Sequence, residues 1–118
     1  MAANNFNLLT NEYKEMPVIV PAGDVVAGDM RKIGAVVGVF PVDGLEGAEV
    51  AMIYSTEKIK VNKSVGGGFV VGGKVYFDAA AKSVTGVSEG NTLCGRSREI
   101  AANDATHLII DLSGNVEA

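Results

Sequence analysis

The stretch Gly66–Cys94, GGGFVVGGKVYFDAAAKSVTGVSEGNTLC, alternates glycine clusters with short runs of β-branched and aromatic residues. Glycine supplies the positive-φ corners that other residues avoid, whereas Val, Tyr and Phe favour strands. The pattern therefore predicts a strand, a tight turn, a second strand, another turn and the start of a third strand. Its residues form no arrangement typical of an active site. We interpret the stretch as a compact β-unit that presents a surface.

The composition of the whole chain favours one soluble all-β domain. The chain has 118 residues, 47% of them apolar, with 15 glycines, no tryptophan and a net charge of −4. This length predicts a single core that buries about two thirds of the surface of the unfolded chain. A nucleic-acid partner is disfavoured because it requires a clustered positive field. A membrane partner and secretion are not expected, since the apolar runs are short and the N-terminus lacks a signal-peptide pattern.

Three segments are predicted along the chain. Residues 1–16, MAANNFNLLTNEYKEM, show no sustained apolar period and are expected to form an N-terminal arm, followed by a β-domain at 17–112 and a C-terminal tail at 113–118. The arm is either a frayed terminus or a segment that becomes ordered against a partner. In the second case its apolar side chains are the candidate anchors. They are Phe6, Leu8, Leu9 and Tyr13.

The β-domain is predicted to be a small β-sandwich or β-barrel of short antiparallel strands. Ile33–Phe40, IGAVVGVF, is expected to form one strand that is covered on both faces or bent by a bulge. Strict alternation in residues 56–61 predicts a half-buried strand, with Ile59 and Val61 inside and Lys58 and Lys60 outside. Further strands are predicted at residues 17–21, 48–54, 69–71, 74–77, 84–87, 92–95 and 107–112, with a turn at 78–82.

A short internal echo links DVVAGDM at residues 24–30 with FVVGGKV at residues 69–75. Each has two valines, a small residue, a glycine and a polar residue in a similar order. Two similar β-units would produce this echo, but so would chance in a domain rich in glycine and valine.

The glycines also invite a nucleotide-binding interpretation, which the surrounding residues disfavour. Residues 68–74, GFVVGGK, match the first seven positions of the phosphate-binding loop GxxxxGK. The eighth position requires Ser or Thr, whereas this chain has Val75, and the β-prone VYFD follows in place of a helix. We expect no cofactor.

Catalytic and metal sites are not predicted either. The chain has one cysteine and one histidine, and its carboxylates are spread through turns. Cys94 lies in an apolar run and is expected to be a small buried side chain. His107 begins a strand and is expected to be structural or exposed.

A lipoyl or biotinyl carrier domain, or another small β binding module, remains an alternative function. The two Gly-Asp pairs of AGDVVAGDM resemble a sequence motif of such carriers, and Thr56-Glu57-Lys58 resembles the hairpin that bears their modified lysine. A long apolar segment separates Asp29 from Lys58, however, and carriers lack such a segment.

Several stretches between about Val18 and Leu112 resemble the sequence motifs of another family. They are VPAGDVVAGDM, IGAVVGVF, EGAEVAM, FVVGGKVYFD followed by KSVTGV, and GNTLCGRSREIAANDATHLIIDL. Together they resemble the small capsid cement, or decoration, proteins of tailed bacteriophages. The most specific parts are GGKVYFDAAAKSVT and GNTLCG, which in relatives tends to read GNTLIG. The chain departs from the family in its longer polar arm, in Lys58 and Lys60, and in Cys94.

This resemblance implies a structural virion protein without enzymatic activity. The protein would bind the outer surface of the assembled capsid, with the major capsid protein as its partner, and would stabilise the shell. Relatives imply a homo-oligomer, with a trimer favoured over a dimer. The protein would be made in the cytoplasm of the host bacterium.

Overall fold

A computed structural model of the chain describes residues 12–113 and contains eight strands and no helix in that range. All paired strands run antiparallel in one sheet, with the order β2-β3-β4-β8-β7-β5-β6 and β1 paired to β4. The prediction of a small all-β antiparallel domain is confirmed. The strands are β1 Tyr13–Ile19, β2 Met30–Ile33, β3 Val36–Val39, β4 Glu49–Asn62, β5 Lys74–Asp78, β6 Ser83–Thr85, β7 Thr92–Ser97 and β8 His107–Ser113.

The 14-residue strand β4 connects the two halves of the molecule. Its first half pairs with β1 and, through Val39 and Ile53, with β3, whereas its second half pairs with β8. The two strands expected at 48–54 and 56–61 are therefore one strand, with a bulge between Thr56 and Ile59. The predicted alternation of Lys58 to Val61 is confirmed.

The second half of β4 belongs to a sheet that is nearly closed into a barrel. Strands β8, β7, β5 and β6 follow it in order, and an isolated parallel bridge from Lys63 to Val84 joins β6 back to the end of β4. The inward side chains form the larger core, and burying them supplies most of the hydrophobic stabilisation of this half. This core includes Ile59, Val61, Phe69, Val75, Phe77, Val84, Cys94, Leu108, Ile110 and Leu112.

The first half of the molecule has a smaller core of its own. It lies where β1, the β2–β3 hairpin and the first half of β4 meet, and it is centred on Phe40 and Met52, both fully buried. Val18, Val20 and Val25 complete it. The larger core extends into this half as well, and β4 contributes side chains to both cores. The residues of this half that belong to the larger core are Met30, Val37, Val39 and Ile53.

Three boundaries differ from the predictions. Ile33–Phe40 is not one strand, because Gly34 adopts a φ of 64° and Ile33 pairs with Val36 across a two-residue turn. The first strand begins at Tyr13, within the stretch predicted as an arm, because its backbone pairs with β4. Residues 69–71 do not form a strand; only Phe69 pairs, as an isolated bridge with Ala101. The turn predicted at 78–82 is confirmed.

The two stretches that echo each other in the sequence have the same hydrogen-bonding pattern. In the first, the amide of Gly28 donates to the carbonyl of Phe40 (2.7 Å), the amide of Asp29 donates to Val26 (2.9 Å), and Val25 forms an isolated bridge. The second stretch repeats each of these with Gly72 to Ser97 (2.8 Å), Gly73 to Val70 (3.0 Å) and a bridge at Phe69.

The structural alignment of this repeat differs by one residue from its sequence alignment. The sequence alignment pairs Gly28 with Gly73, but the hydrogen bonds pair it with Gly72. Both Gly28 and Gly72 have positive φ, at 96° and 84°. The repeat is therefore defined by the positive-φ glycine that the turn requires. The valines before it are shifted by one residue between the two stretches.

Candidate functional site

The predicted anchor residues lie at the N-terminal edge of the domain. Phe6, Leu8 and Leu9 lie outside the described residues. Tyr13 is the first residue of β1, where it pairs with Thr56 of β4 and keeps 45% of its surface exposed. Tyr13 is therefore an exposed aromatic side chain at the point where the N-terminal residues join the sheet.

A groove of about 400 Å³ opens beside Tyr13. The hydroxyl of Thr56, which is buried, donates a 3.0 Å hydrogen bond to the carbonyl of Glu12 and fixes the chain where it enters β1. The groove combines an aromatic ring with polar and charged groups, so it can accept an extended polypeptide. It is lined by Glu12, Tyr13, Lys14, Ser55, Thr56, Glu57 and Asp111.

Strand β1 forms an edge of the sheet. Within residues 12–113 it pairs only with β4, and most of its side chains are exposed. Pro17 lies inside this strand, and proline is tolerated in edge strands because it cannot donate to a second neighbour. The outer backbone edge of β1 can therefore pair with an added strand.

Both ends of the described chain lie beside the same part of β4. Ser55 pairs with Lys14 of β1 on one edge and with Ser113 of β8 on the other. Two strand spacings separate β1 from β8, which is about 10 Å. The segments before residue 12 and after residue 113 therefore begin close together.

Five cations share the outer face of the barrel, and we call this surface the basic face. Lys74 pairs with Arg96, and Arg96 pairs with Asp111, so these residues form a row across three strands. None of the five cations forms a salt bridge with any residue between 12 and 113. The basic face consists of Lys58, Lys60, Lys74, Arg96 and Arg98, all exposed.

A groove of about 420 Å³ crosses the basic face. Arg96 is held over it by a 3.1 Å hydrogen bond from its guanidinium to the carbonyl of Gly72. Val71, which is 65% exposed, borders the same groove. The surface thus combines positive charge with an apolar contact. Its lining is Lys58, Val71, Gly72, Arg96, Ser97, Arg98 and Asp111.

Sequence reasoning missed the basic face, although its signal was present. Lys58 and Lys60 alternate with buried residues in one strand, and Arg96 in β7 and Arg98 just after it alternate with the buried Ser97. Alternation places each pair on one face of its own strand. Only the order β4-β8-β7 shows that both pairs lie on the same side of the barrel.

The residues considered for catalysis are placed as structural residues. Cys94 is fully buried, and desolvation raises the pKa of its thiol to about 12. His107 is exposed at the start of β8, with Nδ1 3.1 Å from the hydroxyl of Thr106. Residues 12–113 contain no group of three His, Cys, Asp or Glu side chains that could hold a metal ion.

The glycine-rich loop uses its amides within the fold. The amides of Phe69, Gly72 and Gly73 donate to the carbonyls of Ala101, Ser97 and Val70. A phosphate-binding loop requires such amides to point at the ligand. This arrangement gives no support to phosphate binding.

The position of Lys58 does not fit a carrier domain. It lies within β4, beside the bulge, and its neighbour Ile59 pairs with Ile110 of β8. The modified lysine that the resemblance implies would lie at the tip of a hairpin.

The described residues also contain no helix long and apolar enough to cross a membrane.

Comparison with known families identifies the chain. The model of the phage cement protein family matches residues 11–112, which is most of the chain. The chain belongs to the phage cement protein family. Searches of curated proteins and of solved structures returned no significant match.

A phage cement protein is a structural component of the phage, associated with its capsid. The resemblance drawn from the sequence motifs is therefore confirmed at the level of the family. The match begins at residue 11, one residue before the described structure, so it covers all of β1 and only the last part of the predicted arm.

Proposed function

We propose that this protein binds the outer surface of the assembled phage capsid, through the major capsid protein, and stabilises the shell. The observation that carries the proposal is the family match over residues 11–112 of a domain whose first strand has an open edge. A protein that binds the assembled shell more tightly than free subunits stabilises the shell by mass action. Such a protein would be made in the cytoplasm of the host bacterium and carried on the virion.

The N-terminal segment is the part of the chain that we propose as the capsid anchor. It leads directly into β1, whose outer edge is unpaired among residues 12–113, and Tyr13 is exposed beside a groove. An extended segment of this kind can add to the edge of a sheet in a neighbouring subunit, and apolar side chains at alternate positions then fill pockets. In such a strand Phe6 and Leu8 would share one face, and Leu9 and Tyr13 would share the other.

We further propose that the protein acts as a homo-oligomer, with a trimer favoured over a dimer. Each contact between an extended segment and a sheet edge has modest affinity, because ordering the segment costs conformational entropy. Several linked copies bind with a much higher overall affinity when their sites match the spacing on the shell.

Co-sedimentation with expanded, undecorated shells of the cognate phage tests this function. The intact chain is expected to sediment with the shells and to raise the temperature or osmotic shock that they survive. A chain that remains in the supernatant at every ratio of protein to shell would contradict the proposal.

The role of the N-terminal segment requires a variant that keeps β1. Deletion of residues 2–11 removes Phe6, Leu8 and Leu9 but leaves the strand that begins at Tyr13. We expect this variant to bind shells at least about tenfold more weakly, in keeping with the loss of several apolar anchors. Substitution of Phe6, Leu8 and Leu9 by Ser should have a similar effect. The matched control replaces Asn4, Asn5 and Asn7 by Ser and should bind as tightly as the intact chain.

A further inference from the structure

The two ends of β4 carry loop pairs with the same backbone pattern. The first pair, residues 20–29 and 40–48, precedes and follows the β2–β3 hairpin, and the second pair, residues 63–73 and 98–106, occupies the corresponding positions around β5 and β7. The shared hydrogen bonds of the repeat lie in these loops. One more is common to both pairs: Ala48 donates to Leu45 (2.9 Å), and Ala105 donates to Ala102 (3.1 Å).

The loop pairs lie at opposite ends of β4. The first precedes Glu49 at the start of this strand, and the second follows Asn62 at its end. At about 3.3 Å per residue, 14 residues extend roughly 45 Å when straight. The longest dimension of the molecule is 36 Å, so the bulged strand β4 is curved but still holds the two loop pairs apart.

Both ends expose apolar side chains. Val26 in the first turn is 58% exposed, and its structural equivalent Val70 is 66% exposed. Leu45 and Ile100, in the returning loops, are 72% and 78% exposed. Each end therefore offers apolar contact area that solvent covers in the single chain.

The two ends differ in charge. Four exposed carboxylates surround the first loop pair, and we call this surface the acidic end: Asp24, Asp43, Glu46 and Glu49. The basic face adjoins the second loop pair, since Val71, Gly72 and Arg98 line its groove. A chain with net charge −4 thus has five of its ten Lys and Arg residues gathered on one face, next to the second loop pair.

We infer that copies of this chain associate head to tail, with the acidic end of one copy on the basic face of the next. The charges are complementary, and both surfaces supply apolar contacts next to those charges. Surfaces at opposite ends of one chain cannot meet within a single copy, so they satisfy one another only between copies. Such a contact is heterologous, and it closes into a ring when the rotation between copies permits. A polyanion such as nucleic acid fits less well, because Asp111 lies within the row of cations and the chain is acidic overall.

Charge reversal at each end tests this association in the free, full-length protein. The acidic-end variant is E46K/E49K, which spares Asp24 and Asp43, because these carboxylates accept 2.8 Å hydrogen bonds from the amides of Glu46 and Ala27. The basic-face variant is K58E/R98E, which spares Arg96 and its bond to Gly72. Sedimentation equilibrium over a range of concentrations, at low and high salt, measures the association.

The intact chain should self-associate at low salt and dissociate as salt rises. Each double variant should self-associate at least about tenfold more weakly, because like charges then face one another. An equimolar mixture of the two variants should associate more tightly than either variant alone, since in a mixed ring of three copies two of the three contacts join opposite charges. The control K32E/K82E makes the same change in net charge as K58E/R98E, at exposed lysines outside the basic face, and should associate like the intact chain.

A monomeric intact chain at all concentrations, or an oligomer that neither reversal weakens, would overturn the inference. A mixture that associates no more tightly than either variant alone would also overturn it, provided that circular dichroism shows both variants folded. Because no shell is present, these outcomes do not depend on capsid binding.

Discussion

The ammonium group of Lys63 donates a 3.2 Å hydrogen bond to the backbone carbonyl of Asn103. The same group donates to the carbonyls of Ser64 (3.0 Å) and Ala105 (3.2 Å), so all three of its donors are used. It also lies 6.0 Å from the centre of the Phe69 ring. Lys63 is only 4% exposed. A buried cation therefore ties the end of β4 to the loop before β8.

Removing this cation should destabilise the barrel. In Lys63→Met the side chain keeps much of its volume, but three carbonyls lose a donor, and of these the carbonyl of Asn103 keeps a second donor, the amide of Gly66 (2.8 Å). We expect the free energy of unfolding to fall by about 2 kcal/mol, since acceptors left unpaired are costly. Urea denaturation followed by circular dichroism measures the change.

The matched control for Lys63→Met is Lys60→Met on the outer face of the same strand. Lys60 is exposed, so its substitution should change the free energy of unfolding by no more than about 0.5 kcal/mol. Equal effects of the two substitutions would show that the three carbonyl bonds of Lys63 contribute little.

Gly95 should not tolerate a side chain. A β-carbon at this position would overlap the backbone carbonyl oxygen of Asp111 on β8 and would lie 3.3 Å from the Cα of Leu112. Gly95→Ala should therefore separate β7 from β8 and reduce the free energy of unfolding by at least about 2 kcal/mol. Thermal denaturation measures the effect. Gly67→Ala is the control, because no atom lies within 4 Å of a β-carbon there, and it should leave the midpoint nearly unchanged.

The sequence predicted the content of the fold better than its connections. Two sequence patterns indicate directly which side chains are buried: the alternation of Lys58 to Val61 and the apolar residues of 107–112. Strands were predicted correctly at both places. Ile33–Phe40 was predicted wrongly because an apolar run reads the same whether it is one strand or a hairpin. Gly34 forms the corner at the first central position of the two-residue turn, where a type II′ turn has glycine, but a single glycine is a weak signal inside an apolar run that holds another at Gly38. Strand β4 likewise continues through Ser55, because it is paired on both edges there, whereas the sequence pattern predicted a break between two strands.

Surface properties were harder to predict than burial. The net charge of −4 is a sum over the whole chain. It therefore gives no sign of the five cations that separate strands bring together on one face. The buried state of Lys63 was equally hidden, since its three acceptors are backbone carbonyls that no residue type identifies. Cys94, by contrast, was correctly expected to be buried, because its apolar neighbours belong to the same strand.

The buried thiol of Cys94 should make stability fall at alkaline pH. Burial raises its pKa from 9.0 to about 12, so the unfolded chain releases this proton at lower pH than the native protein. Stability from this group is fully present below pH 9.0 and is lost progressively as the pH rises from there toward 12. Within that window the expected slope is about 1.4 kcal/mol per pH unit. The difference in the pH dependence of unfolding between the intact chain and Cys94→Ala isolates the thiol from tyrosine and lysine titrations. Parallel curves for the two proteins would contradict the expectation.

The same burial should make Cys94 unreactive in the native protein. The thiolate is the nucleophile, and at neutral pH a thiol with a pKa of about 12 is almost fully protonated. Reaction with a disulfide reagent should therefore proceed at the rate of unfolding or local opening. In denaturant the same thiol should react at the rate of a free cysteine, and Cys94→Ala should not react in either condition. Rapid labelling of the folded chain would mean that β7 opens easily.

The two turns of the internal repeat should respond alike to substitution. Gly28 and Gly72 both have positive φ, and their amides donate to equivalent carbonyls, of Phe40 and Ser97. Alanine at either position faces the steric cost of this backbone region, about 1–2 kcal/mol per residue. No atom lies within 4 Å of a β-carbon at Gly72, so there the cost comes from backbone conformation alone. Urea denaturation of Gly28→Ala and Gly72→Ala should show similar losses, with Gly67→Ala as the control without positive φ. A loss at one position alone would mean that the repeated hydrogen bonds do not impose the same corner at both ends.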